Sequence, residues 1–209
     1  MRFTGSPPGL GGLGARGVVG WTEGTWTREP VDAAIDGDDL LSTAAQGSDA
    51  WLATAYGHSS DSAHALLAAF AQESGLEVTF TADCREQFDQ AGLFIRRDEA
   101  TWIKAGVEFA DGALQAGAVV THDRSDWSSG LFWGDGSQRV TVRASRSGDA
   151  ITIRMRAGDG YFRLVRVAPM DPEAVLSAGP YLCAPTRSGF TVRFHRWEIT
   201  TPDESLHER

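Results

Sequence analysis

"DQAGLFIRRDEATWIKAGVEF" runs from Asp89 to Phe109, with apolar residues at every second position on both sides of a short charged stretch. Alternation places successive side chains on opposite faces of a strand, so two such runs around a charged loop read as a β-hairpin. With Arg97 to Thr101 as the loop, Arg96 faces Trp102, Phe94 faces Lys104, Gly92 faces Gly106 and Gln90 faces Glu108. The other face carries Ala91, Leu93, Ile95, Ile103, Ala105, Val107 and Phe109. A surface that apolar has to be the core side, because a one-residue slip would turn all of it to water.

The first face is polar and aromatic. Opposed Cβ atoms lie about 4.5–5.5 Å apart, so Arg96 is expected to stack on Trp102 and Gln90 to hydrogen-bond Glu108. Gly92 and Gly106 leave a bare floor between these ends, and a glycine inside a strand often marks a close approach to the backbone. Downstream, "VVTHDRSDWSSG" at Val119 to Gly130 supplies a third strand and a loop bearing Asp126 and Trp127. With the turn centred on Ala113, Ala118 opposes Glu108 and His122 opposes Lys104.

The expected result is a groove with an aromatic at each end, a combination that suits a sugar: rings cover its apolar faces while amide, carboxylate and guanidinium groups take its hydroxyls. The candidate ligand-binding residues are Gln90, Arg96, Trp102, Lys104, Glu108, His122, Asp126 and Trp127. The bland alternative is ordinary cross-strand pairing on a wet sheet, or a face covered by another loop.

Period two dominates the rest of the chain. Leu76, Val78 and Phe80, then Val140, Val142 and Ala144, then Ile151, Ile153 and Met155 each alternate with polar residues. "YFRLVRV" at Tyr161, "YLCA" at Tyr181 and "FTVRFHRWEI" at Phe190 are further strands. "DG" at Asp111, Asp135 and Asp159 and "SGD" at Ser147 are hairpin-turn chemistry. Strands at this spacing make a sandwich or barrel. One segment objects: "SAHALLAAFAQES" at Ser62 to Ser74 places Ala63, Leu66, Leu67 and Phe70 at helical spacing behind a Ser62 N-cap, and local evidence alone reads helix. "GLGGLG" at Gly9 to Gly14 fits the dinucleotide pattern only formally, since no strand precedes it and no helix follows. Residues 1–20 read as a flexible Gly-rich leader, 21–200 as one all-β domain and 201–209 as a polar tail.

Composition excludes several classes. The 209 residues hold 19 Lys and Arg against 28 Asp and Glu, for a net charge of −9. Most of the surface would repel phosphate backbones and anionic membranes, so neither nucleic acid nor a membrane is expected as a partner. Seven arginines fall between Arg139 and Arg166, where cross-strand pairing with acids competes with an anion site as the explanation. Cys84 and Cys183 lack the spacing of a metal or redox site, and reduced thiols in a cytoplasm are the simpler reading. "DGDD" at Asp36 to Asp39 lacks the alternating oxygens of a calcium loop and reads as a turn. No metal and no cofactor is expected.

"DQAGLFIR" at Asp89, "WIKAGVE" at Trp102, "VVT" at Val119 and "SDWS" at Ser125 together resemble the domain of unknown function typified by the regulation of enolase protein, within the concanavalin A-like lectin/glucanase superfamily. "SDAWLATAYG" at Ser48, "DSAH" at Asp61, the Arg166-Val167 pair, "AGPYLCAP" at Ala178 and "FTVRFHRWEI" extend the resemblance across Trp21 to Thr200. It implies an all-β, concanavalin A-like jelly-roll sandwich of two antiparallel sheets, with the Asp89 hairpin on a concave sheet. It also implies a strand where local evidence reads helix. No activity comes with it.

Three functions remain open: a carbohydrate-type ligand-binding domain, a glycoside hydrolase, and a protein-interaction module in metabolic regulation. Hydrolysis normally requires two carboxyl groups about 5–5.5 or 6.5–9.5 Å apart. On the hairpin face only Glu108 qualifies as a catalytic group, and Asp126 or Asp49 could approach it only from a neighbouring element. The superfamily's ExDxxE run is absent, as is GxSxG, and the histidines have no nucleophile partner visible in the sequence.

Overall fold

A computed structural model describes residues 16–55, 57–134 and 137–207. The strands in chain order are β1 (Gly17–Val18), β2 (Thr25–Trp26), β3 (Asp32–Asp36), β4 (Asp39–Thr43), β5 (Ala50–Leu52), β6 (Ser59–Asp61), β7 (His64–Phe70), β8 (Ser74–Ala82) and β9 (Gln90–Arg96). They continue with β10 (Thr101–Ala110), β11 (Ala113–His122), β12 (Arg124–Leu131), β13 (Val140–Ser147), β14 (Ala150–Ala157), β15 (Arg163–Pro169), β16 (Leu176–Cys183) and β17 (Thr191–Thr200). One sheet runs β15-β14-β13-β8-β17-β4-β3, with β1 also on β17; the other runs β12-β11-β10-β9-β16-β7-β2. Every named strand pair is antiparallel. The two sheets pack as a jelly-roll sandwich.

The alternating positions predicted to be buried are so, except Phe109, which is only partly covered. Leu76, Val78, Phe80, Val142, Ile151, Ile153 and Met155 from the first sheet meet Leu93, Ile95, Ile103, Ala105 and Val107 from the second in one core. Burying each of the larger side chains contributes about 1.5–3 kcal/mol. The segment with helical spacing is the strand β7, between β16 and β2. Its even positions Leu66 and Phe70 enter the main core, while Ala63, Ala65 and Leu67 enter a second cluster on the sheet's other face. A strand buried on both sides needs apolar residues nearly everywhere, so it satisfies a helical template as well as its own. Ser62, the expected N-cap, instead accepts the Asp49 amide at 3.1 Å.

That second cluster shows what covers the hairpin's polar face. It joins Phe94, Trp102, Val119, Tyr181 and Cys183 to Ala50 and Trp51 of the small β5-β6 ribbon, which lies over the sheet as a flap. The glycine-rich "GLGGLG" stretch lies outside the described residues. Gly17 and Val18 pair with Ile199 and Glu198, Val19 donates to the Trp197 carbonyl at 2.8 Å, and Trp21 stacks on Trp197. Near the other end, Asp203 accepts Arg143 at 2.7 Å and Arg154 at 2.9 Å.

Three of the seven arginines in the arginine-rich stretch, Arg143, Arg154 and Arg166, pair with acids within the fold. Arg143 pairs with Glu77 as well as Asp203, and Arg166 pairs with Asp126. Buried Arg146 donates to the carbonyls of Phe70, Pro172 and Ala174. Asp36 and Asp39 of the acidic turn both receive Arg193 at 3.0 Å.

Candidate functional site

The hairpin register is as the alternation requires: Arg96↔Trp102, Phe94↔Lys104, Gly92↔Gly106 and Gln90↔Glu108. The next turn is different. Asp111 and Gly112 form a two-residue turn, both with positive φ (54° and 78°), so Glu108 opposes Gln115 and Lys104 opposes Val119. This three-residue shift from a turn centred on Ala113 changes parity. Ala118 and His122 therefore lie on the face opposite Lys104, and His122 reaches the Pro169 carbonyl at 3.3 Å. Asp126 sits opposite Val120 on that same face and pairs with Arg166 at 2.7 Å. Trp127, opposite Val119, stays on the site's face.

The flap also alters the contacts expected on the hairpin. Arg96 makes a two-pronged ion pair with Asp61 of β6, at 2.7 and 2.8 Å, rather than stacking on Trp102. Trp102 is buried and stacks on Phe94 with centroids 5.4 Å apart. Gln90 turns to Lys104, accepting its ammonium at 2.8 Å, rather than to Glu108. The opposed glycines answer to the strands themselves: a Cβ on Gly92 would strike the Ala105 carbonyl, and one on Gly106 would strike the Ala91 carbonyl. Gly117, opposite Gly106, extends the row to a third strand, where a Cβ would strike the Ser128 carbonyl. The close approach at these glycines is strand to strand.

A cavity of about 130 Å³ remains between flap and sheet, similar to the roughly 150 Å³ that accommodates a benzene-sized guest in an apolar core. There is room for one ring. Its polar lining is Asp49, His58, Gln90, Lys104 and Glu108; Trp51, Phe88, Val119 and Trp127 supply the rest. Trp127 is 37% exposed and forms part of the rim. Of the eight residues expected to bind ligand, four line this cavity: Gln90, Lys104, Glu108 and Trp127. Arg96 and Trp102 support it from beside and beneath.

Asp49, Trp51, His58 and Phe88 were outside the expected set. Three of them belong to the flap segment, and no alternation rule places a loop over a sheet. Its anchors are local hydrogen bonds. The Asp49 carbonyl accepts the Ser62 amide at 2.8 Å and the Ser60 hydroxyl at 3.1 Å, while Leu52 donates to Ser125 at 2.9 Å. Ser125 is buried and bonds Thr121 at 2.9 Å, which fixes the flap to the sheet floor.

The two carboxyl groups differ in their contacts. Lys104, with a side chain only 5% exposed, holds Asp49 Oδ1 at 3.0 Å. The same oxygen accepts the Ala50 amide at 2.8 Å and Gln90 Nε2 at 3.4 Å. Burial is the largest single influence and opposes the Lys104 charge, but the acidic groups around it together, Asp49 foremost with Cys183 and Glu108, hold the lysine's pKa above its ordinary value. Glu108 has no hydrogen-bond partner among the described residues. Burial pushes its pKa above the ordinary glutamate range, aided by the nearby negative Asp49 and Asp111 and opposed by Lys104. Both cysteines are free thiols whose pKa values burial raises.

Two packed antiparallel sheets, with a small polar and aromatic pocket under a flap on one of them, define a concanavalin A-like jelly-roll sandwich. The chain belongs to the family described as "Protein of unknown function (DUF1349)", whose model matches residues 26–202. It is 32% identical over 199 residues to "Regulation of enolase protein 1" of Saccharomyces cerevisiae, covering 90% of this chain and 94% of the relative. A crystal structure of a functionally unknown protein from Saccharomyces cerevisiae superposes with a TM-score of 0.83 at 28% identity, covering 88% of this chain and all of the other. The xylan β-1,4-xylosidase of Bacillus halodurans C-125 matches with a TM-score of 0.68 at 12% identity, over 94% of this chain but 41% of the enzyme. That last likeness is one of fold, to a part of the enzyme.

Proposed function

We propose that the pocket beneath the β5-β6 flap binds one ring of a small saccharide, in a reducing, cytoplasmic setting that the two free thiols suit. The observation that carries this reading is the pocket's make-up: a polar wall of Asp49, Gln90, Lys104 and Glu108 facing aromatic Trp51, Phe88 and Trp127 around about 130 Å³. Hydroxyl groups would exchange bonds with the polar wall, and the sugar's C–H face would lie on an indole. The likeness in fold to part of a xylosidase is compatible with a saccharide ligand.

Titration calorimetry with a panel of pentoses, hexoses and their disaccharides tests the proposal. Trp127→Ala should weaken binding about tenfold, in keeping with the roughly 0.5–1.5 kcal/mol of an aromatic contact. Trp102→Ala is the wrong probe, because Trp102 holds up the floor from within the second cluster. If no member of the panel binds the unmodified protein, the saccharide reading is wrong.

A further inference from the structure

The hydrogen bonds to Asp49 are one-sided. All three donors, Ala50 N, Gln90 Nε2 and Lys104 Nζ, fall on Oδ1, leaving Oδ2 without a partner among the described residues. Glu108 lines the same cavity and likewise keeps its carboxyl group unengaged. One pocket thus holds an anchored carboxylate with a free oxygen and a second carboxyl in an environment that favours its protonated form. A carboxylate with a free oxygen and a second carboxyl group able to bring a proton, both in one pocket, are the pairing that acid-assisted cleavage of an acetal requires.

We infer that the pocket cleaves the terminal glycosidic bond of a short saccharide or glycoside, with Glu108 as proton donor and Asp49 Oδ2 facing the anomeric carbon. This rests on the saccharide reading and adds a reaction to it. As the bond from the anomeric carbon to the leaving oxygen breaks, the Glu108 proton moves to that oxygen and the positive charge growing on the ring is stabilised by the Asp49 carboxylate. Water then adds to the anomeric carbon and gives a proton to the Glu108 carboxylate, restoring both groups. The net change is one glycoside and one water converted to a sugar and an alcohol. Lys104 is a positioning residue: its ammonium holds Asp49 Oδ1 at 3.0 Å and so turns that oxygen away from the reaction. A cavity for one ring restricts cleavage to the chain end.

The test is a turnover screen of the full chain on 4-nitrophenyl glycosides and disaccharides, with calorimetry run in parallel. Glu108→Gln should lower kcat/KM at least 100-fold for a sugar or alkyl leaving group. It should lower it less than tenfold for a 2,4-dinitrophenyl glycoside, whose leaving group needs no proton. Asp49→Asn should lower both substrates alike, and the product should keep its anomeric configuration because water and proton act on the Glu108 side. Saccharide binding without turnover of any glycoside would overturn the catalytic inference and leave the binding proposal standing. Turnover that survives Glu108→Gln on sugar leaving groups, or an inverted product, would also overturn it; a protein that binds no saccharide fails both.

Discussion

Replacing Lys104 with Met keeps the length of the side chain and removes the charge that organises the pocket. The ammonium is 5% exposed and bonds Asp49 at 3.0 Å and Gln90 at 2.8 Å. Removing one member of a buried ion pair costs about 3–5 kcal/mol, because the other charge is left uncompensated. Asp49 is 23% exposed and Oδ1 keeps the Ala50 amide, which places the expected cost near the lower end, about 3 kcal/mol. In an Asp49→Asn background there is no carboxylate to strand, so the added Lys104→Met change should cost no more than about 1 kcal/mol. The coupling between the two positions is then about 2 kcal/mol. Equilibrium urea unfolding of the four proteins at neutral pH, followed by tryptophan fluorescence, measures it. A Lys104→Met cost below about 1 kcal/mol, or additivity within about 0.5 kcal/mol, would show that the pair does not organise the site.

Three further outcomes follow from the geometry. Gly106→Ala drives a Cβ into the Ala91 carbonyl and should cost more than about 3 kcal/mol, a loss that calorimetric unfolding would register; a cost under 1 kcal/mol would mean the strands can part there. Glu108 has a folded-state pKa raised above its unfolded value of 4.5, so the native state holds the proton more tightly. Its stabilising effect is full below 4.5 and is lost as pH rises through the folded pKa; Glu108→Gln should flatten that decline, and an unchanged stability–pH curve would contradict the assignment. Arg96→Met removes the flap's tie to Asp61, which is 45% exposed, so the cost should be roughly 1 kcal/mol or less. Amide exchange at Ser60 and Asp61 should quicken by more than exchange in β10 does, and equal protection would show that the flap does not depend on the tie.

The sandwich was legible in the sequence because burial on one face writes a period of two. Leu93, Ile95, Ile103 and Val107 fixed the hairpin's register, and the pairs from Gln90↔Glu108 to Arg96↔Trp102 followed. The next turn was also legible: Asp-Gly at 111–112 is a signal for a two-residue turn, and centring the loop on Ala113 instead put His122 on the wrong face. Strand β7 was obscured by its own burial, since apolar residues on both faces leave no period to read. The flap left the weakest trace, because serine-to-backbone bonds such as those of Ser60 and Ser62 to Asp49 have no periodicity. Without it, the face around Lys104 reads as an open groove; with it, Trp102 and Phe94 are buried, and Asp49, Trp51 and His58 join the site.

The most direct test of the saccharide pocket is a nuclear magnetic resonance titration of the isotopically labelled protein with the saccharide panel, read at the seven tryptophan indoles and the Glu108 carboxyl. The pocket account predicts that a bound sugar shifts Trp51, Trp127 and Glu108 while Trp21 and Trp197, stacked together away from the cavity, stay in place. Shifts confined to other faces of the molecule, or none with any sugar, would contradict it.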